Sequence, residues 1–172
     1  MLLGKTARGK ADIPRYDPTD RRQSEAMFMA RTFAVLREEM LLRTECATSG
    51  SFCLHSEVRV RAPRGTQVLD AVAAVRPDSD AALCVHVVEI ITGKVTKDAL
   101  AKRVDDLSPY GERLWLAFPE GGYQSTFKLP GYVGVLEIGE RLNVIRVASE
   151  APGLGTASGE TAKGLLLKTL NP

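Results

Sequence analysis

Apolar residues recur at helical spacing at Ala26, Met29, Phe33, Leu36 and Met40, with Arg31, Glu38 and Glu39 off the stripe. The pattern predicts an amphipathic helix over about residues 20–45. Asp20 with Gln23 three residues on is a capping-box variant that would start it, and the small polar cluster at 47–50 would stop it. From 52 to 62 the period changes to two. Phe52, Leu54, Val58 and Val60 fall on one face and Cys53, His55, Glu57, Arg59 and Arg61 on the other, which predicts a half-buried strand. After a turn at 62–65, Gln67–Val75 reads as a strand buried on both faces except at Asp70. A second turn at 76–80 leads into Ala82–Ile91, equally apolar but for His86 and Glu89. The three strands are expected to form an antiparallel meander.

Thr96 can cap a second helix with the stripe Leu100, Val104 and Leu107, ending before Pro109. Arg113–Phe118 predicts a fourth strand, so a strand, helix, strand order arises in which a parallel crossover is expected. Tyr132–Ile138 and Arg141–Ala148 predict a hairpin turning at Gly139-Glu140. A Pro/Gly/Ser segment at 149–159 then precedes a short last helix over about 160–170. Residues 1–18 carry Lys5, Arg8, Lys10 and Arg15 among Gly4, Gly9, Pro14 and Pro18, with no apolar period. They read as a flexible basic arm ahead of one domain, 19–172.

Composition narrows the class. The chain has 172 residues, 44% of them hydrophobic, and 23 Lys+Arg against 21 Asp+Glu, which is the make-up of one globular domain. No stretch approaches the roughly 20 apolar residues of a membrane span, and the start lacks an apolar signal core, so a cytoplasmic protein is expected. Three cysteines fit reduced thiols rather than a disulfide framework. At a net charge of +2, a polyanion would have to be drawn by a local patch.

The chemistry-bearing anomaly is a pair of carboxylates, Asp70 and Glu89, in strands otherwise too apolar to tolerate charge. Burying an unpaired carboxylate costs several kcal/mol, so each needs a cation, an arginine such as Arg59 or Arg61, or a solvent-facing cleft. Two carboxylates on neighbouring strands supply the oxygen donors that suit Mg²⁺ or Mn²⁺. Glu39 and Glu57 are candidate further acidic ligands. Competing metal chemistry uses Cys53, His55, Cys84 and His86, whose i, i+2 pairs could face a tetrahedral zinc ion. The plainer alternative makes Cys84 a small buried residue and His86 a hydrogen-bonded interior imidazole. Arg59, Arg61 and Arg64 on the first strand and its turn, with Lys94, Lys97, Lys102 and Arg103 around the second helix, form two basic edges that could straddle a nucleic-acid backbone. Asp98, Asp105 and Asp106 share that helix, as on an ordinary solvated face.

The order helix, three strands carrying Asp then Glu, helix, strand resembles the restriction-endonuclease-like PD-(D/E)XK superfamily. Asp70 takes the Asp position, and Val88-Glu89-Ile90-Ile91-Thr92-Gly93-Lys94 looks like the Glu-x-Lys strand. Asp98, Lys102, the segment Tyr110–Pro119, Val133–Ile138 and Lys163–Lys168 are similar to the MmcB-like DNA-repair endonuclease family, and the likeness covers about residues 24–170.

The resemblance implies an α/β fold with a mixed central sheet and helices on both faces, an α-βββ-α-β core plus a C-terminal hairpin and helix. It implies a DNA-associated hydrolase acting in repair, with Mg or Mn held by Asp70, Glu89 and the backbone carbonyl of Ile90 and activating water for attack on a phosphodiester. Where the family has lysine, this chain has Ile91, which can neither orient water nor stabilise phosphate charge. Either a displaced lysine, Lys94 or Lys102, completes the catalytic set, or the fold persists as a non-catalytic module binding nucleic acid, a protein partner or its own copy.

Overall fold

The computed structural model describes residues 21–37, 51–62, 65–150 and 157–170. Six strands, β1 (Ser51–Ala62), β2 (Gly65–Arg76), β3 (Cys84–Ile90), β4 (Arg113–Pro119), β5 (Gly134–Ile138) and β6 (Leu142–Arg146), lie in one sheet in chain order. β1, β2 and β3 are antiparallel neighbours, as the meander requires. β4 is parallel to β3, β5 to β4, and β6 closes the sheet antiparallel to β5. A parallel pair needs a crossover of a dozen or more residues. The first crossover carries α2 (Lys97–Leu107), capped by Thr96, whose hydroxyl accepts from the Ala99 amide at 3.2 Å. In the second, Tyr123 and Phe127 pack on Phe118 at ring separations of 5.6 and 5.9 Å.

Two apolar clusters sandwich the sheet. α1 (Arg21–Val35), continued through Arg37, covers one face: Phe28, Phe33 and Leu36 meet Ala71, Ala73, Val88, Trp115 and Leu136. On the other face Leu100, Val104 and Leu107 of α2 and Leu166 of α3 (Ala157–Leu170) meet Val72, Val87, Leu116 and Val135. The protein is thus a mixed α/β sandwich with helices on both faces. Gly134 is required there, because a Cβ would strike both the Trp115 ring and Ala148.

Four expectations are corrected. In α1, Ala26 is exposed and Thr32 is buried, so the core-facing stripe is Phe28, Thr32 and Leu36. The hairpin turns through three residues, since Ile138 pairs with Leu142 and the Gly139 amide donates to the Arg141 carbonyl. α3 begins at Ala157, earlier than the pattern suggests. The fourth is the largest: β1 does not keep one apolar face. Phe52 and Leu54 pack in the α1 cluster, whereas Val58 and Val60 pack in the α2/α3 cluster. Glu57 makes the switch with a left-handed φ of 50°, which inverts the alternation that an extended strand would preserve. The predicted arm 1–18, the capping Asp20, Glu39, Met40, the 47–50 stop and Arg64 lie outside the described residues. Among the described residues no helix is long and apolar enough to cross a membrane.

A non-glycine residue in the left-handed region costs about 1 kcal/mol. Glu57→Gly is therefore expected to raise stability by up to about 1 kcal/mol, and Glu57→Val, whose branched side chain resists that φ, to lower it by at least as much. Urea unfolding measures both, and a clear loss in the glycine variant would show that the backbone there is unstrained.

Candidate functional site

The β2–β3 ladder runs from Val75↔Cys84 to Ala71↔Val88 and stops there. Beyond it the Ile90 amide donates to Asp70 Oδ2 at 2.8 Å, a side chain replacing the missing ladder partner. In an extended strand a residue's N–H and C=O leave on the same edge, so the Ile90 carbonyl also faces β2. Glu89 shares the face of Val87 and points beneath α2. It is only 7% exposed.

Glu89 is met by Arg103. The Arg103 Nε–H donates to Glu89 Oε1 at 2.5 Å and Nη2–H to Oε2 at 3.0 Å, a two-pronged pair. Nη2 also reaches the Val68 carbonyl at 3.3 Å. Burial drives the Glu89 pKa up from 4.5 to about 7; the Arg103 hydrogen bond and charge oppose this, and the neighbouring Asp70 carboxylate adds to it. Burial alone would lower the Arg103 pKa, but Glu89, Asp70 and Asp106 raise it overall.

The structure thus brings Asp70, Glu89 and the Ile90 backbone edge together and leaves the predicted lysines outside. Lys102 is 80% exposed and pairs with Asp106 at 3.5 Å along α2. Lys94 and Lys97 are exposed at the entry to α2. Ile91 packs against the α2/α3 cluster and gives its amide to the Ala117 carbonyl, so the position where the resembling family has lysine serves the core. Arg59 and Arg61 are exposed, but after the switch at Glu57 they project away from the face that holds Glu89. They neither pair with the carboxylates nor form a second basic edge around them. Glu57 is exposed, and among the described residues no group of three or more acidic, His or Cys residues is placed to hold a metal.

Arg103 is the residue that reading surface charge misses. It sits three residues after Leu100 and four before Leu107, inside the buried stripe of its helix. A cation on an apolar stripe needs a partner as surely as a carboxylate in an apolar strand does, and that was the available signal.

His86 is an interior imidazole, as the plainer alternative holds. The Trp115 indole N–H donates to its Nδ1 at 3.1 Å, so the neutral ring carries its proton on Nε2, 3.4 Å from Cys84 Sγ. Burial, then the Arg113 charge, holds its pKa down to about 4. Cys84 and His86 face α1 with Trp115. Cys53 and His55, paired with Ala74 and Val72, face the opposite side of the sheet. Four zinc ligands on two faces cannot converge.

No family model matches the chain, and no curated protein matches it. Among solved structures, the SPO1766 protein of unknown function from Silicibacter pomeroyi is similar over 84% of this chain and 84% of its own, at 16% identity and a TM-score of 0.49. A likeness this distant carries no argument about chemistry.

Glu89 and His86 couple stability to pH in opposite senses. Glu89 binds its proton more tightly folded than unfolded, so between about pH 4.5 and 7 rising pH disfavours the folded chain. His86 is harder to protonate folded, so between about pH 6.5 and 4 acidification disfavours it. Each effect spans about 3 kcal/mol, and in the unaltered chain they largely offset. Glu89→Gln should therefore leave stability rising from pH 4 to 6.5, and His86→Gln should leave it falling from pH 4.5 to 7. Unfolding free energies across that range read both slopes, and parallel profiles in the two variants would refute the assignment.

Proposed function

We propose that the protein is a DNA-associated phosphodiesterase of the restriction-endonuclease-like class, dependent on Mg²⁺ or Mn²⁺ and acting in repair. The observation that carries this reading is the hydrogen bond that ties Asp70 to the Ile90 amide, next to the buried Glu89 on the same strand. The order α1, three antiparallel strands, α2 and a parallel fourth strand is the core order that the resemblance implies, and supports it. Two carboxylates and a carbonyl are the oxygen donor set a hard divalent cation accepts, with water completing its shell. The bound ion would supply Lewis acidity toward a phosphate oxygen and an acidified water.

This chain's own residues account for the remainder. Asp70 is oriented by the Ile90 amide, which keeps one carboxylate oxygen fixed along the strand edge. Glu89 has a raised affinity for a proton, which a bound divalent cation would displace. Arg103 supplies positive charge beside Glu89, whereas Ile91 supplies none. A second reading, a nucleic-acid- or protein-binding module without catalysis, is favoured by one observation: both Glu89 oxygens are engaged by Arg103.

Calorimetric titration of Mn²⁺ and Mg²⁺, with plasmid nicking under the same conditions, separates the two. The enzyme reading expects saturable metal binding and nicking, both lost in Asp70→Asn, with activity down at least about a hundredfold. Metal binding without nicking, or salt-sensitive duplex binding with neither, would leave the module.

A further inference from the structure

The Arg103 guanidinium occupies the Glu89 side of the Asp70–Glu89 site. Both oxygens of Glu89 accept from it, and its Nη2 is also tied to the Val68 carbonyl two residues before Asp70. A divalent ion bound by Glu89 needs at least one of those oxygens. Two cations a few ångströms apart on one buried carboxylate would repel each other. Arg103 is also no mobile surface charge. The buried residues Leu100, Val104 and Leu107 fix its helix against the sheet and so aim the guanidinium at Glu89, whereas its neighbour Lys102 points to solvent.

We propose that Arg103 is the resident cation of the Asp70–Glu89 site: it closes the site in the metal-free protein, competes with a divalent ion for Glu89, and is released when that ion binds. The proposal rests on the metal reading above and adds its regulation. Competition is reciprocal, so a metal that loosens Arg103 binds more tightly once Arg103 is gone. Release also frees two N–H donors in a planar fork beside the metal. That fork matches two oxygens of a phosphodiester. Metal arrival would thereby turn an internally neutralised site into one that recruits a phosphate.

Mn²⁺ binding to the full chain, to Arg103→Met and to Arg103→Met with Asp70→Asn tests this by calorimetry. Arg103→Met is expected to bind Mn²⁺ about tenfold or more tightly than the unaltered chain, and the added Asp70→Asn to abolish the gain. Arg103→Lys, which keeps the charge without the fork, should fall between and serves if the methionine variant does not fold. On the unaltered chain, Mg²⁺ should shift the Arg103 Nε–H resonance out of its hydrogen-bonded position. If the unaltered chain binds metal while Arg103→Met binds no more tightly, or if saturating Mg²⁺ leaves that resonance unmoved, the competition is refuted and the metal reading stands. If none of these proteins binds Mn²⁺, the metal reading itself falls.

Discussion

A carboxylate buried inside a sheet sets the terms for much of this molecule. Glu89 stands on a strand whose other residues from Val85 to Ile90 are all buried, and little water reaches it to stabilise its charge. The chain meets that demand from one helix turn, with a planar guanidinium that matches both carboxylate oxygens at once. α2 must then sit where Arg103 reaches β3, and that placement also packs Leu100, Val104 and Leu107 over Val87 and Leu116. Core and ion pair are therefore one arrangement. Shifting α2 by a turn would strand a buried charge as well as open the core.

A second constraint acts from the hairpin side. The left-handed backbone at Glu57 carries the end of β1 from one apolar cluster to the other, and the β2–β3 ladder ends nearby at Ala71↔Val88. An unpaired backbone amide in a buried position is costly, and the Ile90 N–H is satisfied by Asp70. Strand irregularity, amide satisfaction and carboxylate placement are thus linked: with a longer ladder, Ile90 would pair with β2 backbone and Asp70 would have no fixed orientation. Glu89 and His86, both buried and titratable, lie on opposite faces of the same strand. One is answered by an arginine and the other by an indole N–H, the partner each charge state requires.

Much was legible in the chain itself, because hydrophobic period reports local backbone geometry directly. The three-strand meander, the α2 stripe of Leu100, Val104 and Leu107, its Thr96 cap, the parallel fourth strand and the closing hairpin all follow from periodicity and turn residues. The need of Asp70 and Glu89 for partners was equally legible, since buried charge is costly wherever it occurs. Which partner answered Glu89 was legible only in part: Arg103 differs from Arg59, Arg61, Lys94 and Lys102 by its place on the apolar stripe of α2, but the carboxylate it meets depends on where the fold aims it. Tertiary structure alone joined Arg103 to Glu89, set the core-facing side of α1 at Thr32 rather than Ala26, and turned Arg59 and Arg61 away from the site. Periodicity is a property of neighbours along the chain, whereas a face switch at one positive-φ residue, or a contact fourteen residues away between helix and strand, is settled only when the layers pack.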